Sequence, residues 1–146
     1  MKIKFDANVS PKIVRAVRAL EADSSIEIGS VHEDYQAGIA DPDWMFKFSK
    51  AGGDAMISGD HNILQKPENL IAYIESGLVS IWPSPGWPDL KRFGQAALVI
   101  RWWITTKQRI LTSQKGDRWR LPMNWTPGVE KFTPIKDPRF DGLAGA

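Results

Sequence analysis

Short apolar strands alternating with proline-initiated helices confine the first part of this chain to a layered α/β fold. In Lys2-Ile3-Lys4-Phe5, Ile3 and Phe5 share one side, the two-residue period of a strand. Ser10 offers a side-chain cap and Pro11 suits a first helical position; Ile13, Val14, Val17 and Leu20 then form one stripe, which predicts a helix from about Pro11 to Ala22. Ile26, Ile28 and Val31 suggest a second strand, and Tyr35 to Ala40, containing Gly38, reads as a loop. Asp41-Pro42 repeats the cap-then-proline signal, with Trp44, Met45 and Phe48 on one helical face until Gly52-Gly53 stops it. Ala55-Met56-Ile57 is a short buried strand. Pro67 opens a third helix carrying Leu70, Ile71 and Ile74 and ended by Gly77, and Leu78 to Trp82 gives a further strand. Strands separated by helices of this length imply right-handed βαβ units and a small parallel sheet of about four strands flanked by helices.

After Trp82 the character changes. Pro83-Ser84-Pro85-Gly86-Trp87-Pro88 is too rich in proline for regular structure and suits a linker or a wall packed on the domain. A long helix is predicted over about 90–111, because Phe93, Ala97, Ile100, Trp103 and Ile104 recur at helical spacing; this stripe is expected to dock on the sheet layer. From Thr112 through Pro138 the pattern specifies no regular element. The expected division is therefore a domain over 1–87 and a basic, Trp-rich C-terminal extension over 88–146, helical and then irregular.

Of the 146 residues, 42% are hydrophobic and 25% charged, enough to bury a core and far from the composition of disorder. Without cysteine there is no disulfide framework and no thiolate metal site. No apolar run approaches the roughly 18 residues of a membrane span, and the N-terminus enters a charged strand directly, so a cytoplasmic protein without membrane contact is expected. Charge is unevenly spread. Residues 1–90 hold 8 basic against 13 acidic side chains, whereas residues 91–146 hold 11 against 4. An acidic pocket beside a basic surface follows, and Arg118, Arg120, Lys115 and the flanked Trp119 are its candidate nucleic-acid contacts; a solvated basic tail would explain the same charges. Trp102 and Trp103 are assigned to the core instead.

Three aspartates sit at element ends: Asp6 after the first strand, Asp41 opening a helix, and Asp60 after Ser58-Gly59. The carboxyl ends of parallel strands line one crevice, so these side chains can converge, and converging carboxylates call for a divalent cation. Each also has a plain structural explanation. Asp6 and Asn8 suit turn chemistry, Asp41 before a proline is a good N-cap, and Asp43 complements a helix dipole. Gly59 permits close approach of the backbone to a substrate or ion. His32 and His61 have neither cysteine neighbours nor His-Glu-x-x-His spacing, so oxygen ligands and Mg²⁺ or Mn²⁺ are favoured over zinc. No Gly-rich phosphate loop or nucleophile motif is present. A phospho-accepting Asp6 lacks a recognisable lysine or hydroxyl partner.

Lys4 to Pro11, Asp41-Pro42-Asp43-Trp44, Ile57-Ser58-Gly59-Asp60 and Pro67-Glu68 together resemble the compact PIN-like domains of VapC-type toxin ribonucleases. The likeness covers residues 2 to about 87. It implies a parallel α/β domain in which Asp6, Asp41 and Asp60 hold Mg²⁺ or Mn²⁺ and RNA is cleaved, with an antitoxin protein as partner. Asn8, Ser58, His61, Asn62 and Asp43 are the polar neighbours that would support the carboxylates or touch substrate. Two departures stand out: His61 occupies a position where such domains often carry a basic residue, and Glu68 and Glu75 fall in the next helix, leaving no evident fourth acidic ligand. The alternative is an inactive PIN-like module that holds a protein or nucleic acid, and a homodimer is compatible with either reading.

Overall fold

The computed structural model describes residues 1–60 and 62–140. Its core is a six-stranded mixed sheet with helices on both faces. The elements run β1 (Lys2–Phe5), α1 (Pro11–Leu20), β2 (Glu27–Ser30), the single-turn α2 (Val31–Asp34), α3 (Asp41–Lys50), β3 (Ala55–Ile57), α4 (Pro67–Ser76), β4 (Val79–Pro83), α5 (Lys91–Leu111), β5 (Arg118–Leu121) and β6 (Thr133–Pro134). Strand order is β2-β1-β3-β4-β5-β6. The first five strands are parallel, and β6 closes the edge antiparallel to β5.

Local signals account for most boundaries. The Ser10 hydroxyl accepts from the Lys12 N–H ahead of Pro11, as a cap should. Gly77 ends α4 in the left-handed region at φ 68°, which glycine enters without the Cβ penalty. Strand alternation then sorts two cores. Ile3, Phe5, Ile57 and Ile81 face α1 and α5, whereas Met56 and Trp82 face Trp44, Leu70 and Tyr73 of α3 and α4. Lys4 points into this second layer, where the Asp34 carboxylate and the rings of Tyr35 and Phe48 surround its ammonium.

The α/β class agrees with the sequence, and the region the sequence left unassigned supplies two more strands. Arg118–Leu121 completes the open edge of β4, with Ser80 to Pro83 in register with Arg118 to Leu121. The β4–α5–β5 crossover passes over the α1 face, whereas β3–α4–β4 passes over the other, although both step the same way along the sheet. The last unit therefore has the opposite hand to the one before it, and α5 comes to lie against α1.

One expectation is corrected. The α5 stripe predicted to dock is largely in solvent: Phe93 is 91% and Ile104 69% exposed, and of that set only Trp103 is buried. The helix instead buries Leu98, Val99, Trp102, Trp103, Thr105, Thr106 and Ile110. Apolar residues occupy both sides of α5, and the side with two indoles removes the larger area from water. Trp102 packs edge-on to Phe132 at 5.2 Å, and Trp103 stacks on Phe5 at 6.1 Å. Among the described residues, no helix is long and apolar enough to cross a membrane.

Ser80, fully buried, joins the second layer to the sheet: its Oγ accepts from the Trp82 indole N–H at 2.6 Å and meets the Tyr73 hydroxyl at 2.8 Å. Ser80→Ala leaves the indole N–H without this partner and should lower stability by about 1–3 kcal/mol. Urea unfolding monitored by tryptophan fluorescence reads this directly. A loss below about 0.5 kcal/mol would show that the buried hydroxyl is energetically idle.

Candidate metal and phosphate site

Two loops at the carboxyl edge of the sheet build the site. The loop after β1 presents Asp6, Ala7 and Asn8, and the loop after β3 presents Ser58, Gly59 and Asp60. They are tied together directly: the Asp6 N–H donates to the Ile57 carbonyl at 2.9 Å, the Ser58 hydroxyl donates to Asp6 Oδ2 at 2.8 Å, and the Gly59 N–H donates to Asn8 Oδ1 at 3.2 Å. The Asp60 N–H in turn donates to Ser58 Oγ at 3.1 Å. Ser58, one of the polar neighbours the sequence singles out, thus ties the Asp6 carboxylate to the Asp60 backbone.

Asp41 comes from the opposite layer, and its role differs from the N-cap suggested by sequence. It is the first helical residue of α3; Ala40 is the cap, with no side-chain cap bond. The Asp41 carboxylate instead accepts from the Trp44 indole N–H at 3.1 Å and from Asn69 Nδ2 at 3.3 Å. Asn69, buried on α4, also donates to the Ile63 carbonyl at 2.8 Å and so anchors Asp41 to the turn after Asp60. A polar residue in the first turn of an amphipathic helix was its only signal. Asn62, exposed, donates its N–H to Asp60 Oδ1 at 2.9 Å.

Asp6 is 4% exposed. Burial pushes its carboxyl from 3.8 up to about 6, and the carboxylates of Asp41 and Asp60 push the same way, against the hydrogen bonds from Ser58 and Ala7. Asp41 and Asp60 are thus near enough to act on Asp6 electrostatically. Among the described residues, no lysine or arginine forms an ion pair with any of the three, and no group of three His, Cys, Asp or Glu stands in ready metal-binding geometry. The donor chemistry, oxygen ligands of one sign without a basic side chain to neutralise them, fits a hard divalent cation.

The other candidates divide by location. His32, on α2, sets Nε2 at 2.5 Å from the Ala7 carbonyl and so braces the Asp6 loop. Asp43 is exposed and lines a separate hollow with Gln36, Ala40 and Lys47. His61 lies outside the described residues. Gly59 does give close approach, but to Trp87: a Cβ there would stand 2.3 Å from the indole nitrogen. The proline-rich segment is thus a wall behind the site, held by Ser84 Oγ donating to the Leu121 carbonyl and Gln95 donating to the Trp87 carbonyl.

The basic residues of the extension are mostly occupied. Arg118 lies between the rings of Trp82 and Phe140, 5.1 Å from each, and faces Asp137. Trp119 is covered by the Arg109 guanidinium at 3.9 Å, and its indole N–H donates to Ser113. Lys115 reaches over Gly77 at the strand-start end, away from the aspartates. Arg120 reaches the carboxyl edge, donating to the Pro83 carbonyl at 3.2 Å.

A family model described as a PIN-like domain matches residues 1–84. No curated protein and no solved structure matches the chain.

The raised Asp6 carboxyl makes folding pH-dependent in a definite sense. Below about pH 4 the group is protonated in both states; between there and about 6 the folded chain retains a proton that the unfolded chain has released, so stability falls as pH rises and levels above 6. In chelator, the unfolding free energy of the wild type relative to Asp6→Asn should drop by roughly 2 kcal/mol from pH 4 to 7. A pH-independent difference between the two proteins would refute a strained carboxylate.

Proposed function

The chain belongs to the PIN-like domain family, whose members are commonly nucleases, and on that premise we propose that it is a metal-dependent endoribonuclease. The observation that carries this reading is Asp6: a buried carboxylate, flanked by Asp41 and Asp60 and lacking a basic ion-pair partner among the described residues. Asp6, Asp41 and Asp60 are the residues that would hold Mg²⁺ or Mn²⁺. When bound, such an ion supplies acidity to water and stabilises charge on phosphoryl oxygens.

The chain's own groups then have distinct tasks. Ser58 orients Asp6 by donating to Oδ2 and accepts from the Asp60 N–H, so one hydroxyl ties the Asp6 carboxylate to the Asp60 backbone. Asn69 aims Asp41 by donating to Oδ2. Asn8 locks the two loops, and Trp87 excludes water from the back of Gly59. Strand guidance falls to Arg120 at the carboxyl edge, with Arg118 and Lys115 adding only to the positive field; the phosphate attraction of these cations weakens as salt rises. By its resemblance to VapC-type domains, the enzyme would be the toxin of a toxin–antitoxin pair, acting in the cytoplasm.

Purified protein incubated with labelled single-stranded RNA should cut it in Mg²⁺ or Mn²⁺ and not in chelator. Asp60→Asn should reduce the rate on the order of 10²- to 10³-fold, and Asn69→Ala, which only positions Asp41, by about 10- to 100-fold. Cutting in chelator, or full activity in Asp60→Asn, would overturn the assignment. Binding of RNA or a protein without cleavage under either cation would instead establish the inactive module.

A further inference from the structure

A strand of phosphates arriving at Asp6, Asp41 and Asp60 meets charges of its own sign, so cations of the chain have to hold it there. The start of α5 brings one to that edge. Its other end, Leu111, lines a hollow with Met1, which precedes β1, so the helix begins at the edge where Asp6 follows β1. Trp87 joins this beginning to the site: its indole lies against Gly59, the neighbour of Asp60, and its carbonyl accepts from Gln95 Nε2 at 3.0 Å. At about 100° per residue, position 91 falls on the same side of α5 as Gln95, Leu98 and Trp102. Leu98 and Trp102 are buried, whereas Lys91, about 6 Å nearer the helix start than Gln95, is exposed.

The backbone of Lys91 is strained. At φ 56° and ψ −175° it occupies a region that glycine alone enters without penalty, and among the described residues no other non-glycine has a positive φ. Its neighbours impose the turn. The Lys91 N–H donates to the Pro88 carbonyl, and Leu90 packs so close to Gly94 that a Cβ there would stand 2.9 Å from the Leu90 Cβ. This turn asks for glycine and has no use for a positive charge. Among the described residues Lys91 makes no ion pair, and neither does the exposed Asp89 two positions before it.

We propose that Lys91 is a substrate contact whose ammonium holds a phosphate of single-stranded RNA next to the one presented to the three carboxylates. A flexible stem carrying a point charge can follow a phosphate without fixed geometry, which suits a strand bound regardless of sequence. The contact takes its ligand from the nuclease reading, but binding can be measured where no cleavage occurs.

The test measures binding of a fluorescent single-stranded RNA of about 12 nucleotides to the full chain in chelator, over about 50 to 200 mM salt. Lys91→Gln should weaken binding about three- to tenfold and reduce the slope of log affinity against log salt by about 0.7, the signature of one lost phosphate contact. Lys91→Arg should keep both, as should Lys50→Gln, which removes the same charge from the opposite end of α3. Lys91→Gly should lose as much affinity as Lys91→Gln yet melt no lower than the wild type, because glycine suits that backbone. Wild-type affinity and slope in Lys91→Gln, an equal loss in Lys91→Arg or Lys50→Gln, a lowered melting temperature in Lys91→Gly, or no RNA binding by the wild type would overturn the assignment. Binding that depends on Lys91 without cutting in Mg²⁺ or Mn²⁺ would support the contact and remove the nuclease; cutting indifferent to Lys91 would remove the contact alone.

Discussion

Parallelism of the first five strands is the constraint from which the site follows. Because β1 and β3 run the same way and are adjacent, the loops after Phe5 and Ile57 must emerge side by side, and Asp6 and Ser58 meet although 52 residues separate them. The order β2-β1-β3 also puts a reversal of winding direction at this seam, where open α/β sheets present their crevice. Asp41 and Asn69 come from α3 and α4, which cover the second face, and the Asp41 charge acts on Asp6. Were β3 antiparallel to β1, one of these loops would emerge at the other end of the sheet.

The parts legible in sequence are those controlled by neighbours in the chain. Ser10-Pro11, Asp41-Pro42, Pro67 and Gly77 mark helix ends through φ restriction and orphan amides, and the structure begins or ends α1, α3 and α4 there. That the loops after β1 and β3 meet at one end of the sheet was legible once a parallel sheet was inferred. What distant contacts decide was not. Asp41 precedes a proline exactly as a cap residue would, yet its oxygens go to Trp44 and Asn69, a choice made by α4. The strand Arg118–Leu121 exists because β4 offers it an open edge, and its Arg-Trp-Arg-Leu alternation is too short to announce that alone. For α5 the periodicity was real but present on both sides, so no one-dimensional pattern could tell which side faces inward.

Packing ties the C-terminal segment to the site-bearing strand. Phe5, directly before Asp6, stacks on Trp103, and Trp102 engages Phe132 and Trp125. Trp87 closes the back of Gly59, and Met123 in turn approaches Gly86 within van der Waals range. The family match ends at residue 84, but the supports of its carboxyl edge continue past it. Changes in residues 85–132 therefore have a mechanical route to Asp6 without any residue there entering the chemistry.

The charge on Asp6 is what a well-made turn does not need. Its two hydrogen bonds, from the Ser58 hydroxyl and the Ala7 N–H, require an oxygen acceptor at each end of the group. An amide could keep the bond from Ala7, and could donate to the serine oxygen in place of accepting from it, since Asn8 Oδ1 stands 3.5 Å from the same hydroxyl. Loop geometry therefore needs hydrogen bonding, not a negative charge. A carboxylate instead introduces a desolvation penalty and repulsion from Asp41 and Asp60, both working against the folded chain near neutral pH. The proposed cation, if bound there, would reverse the sign of each contribution. The same ion that would position phosphate would then stabilise the fold, and apo protein would gain stability from Mg²⁺ or Mn²⁺ through Asp6 in proportion to the strain its carboxylate now carries.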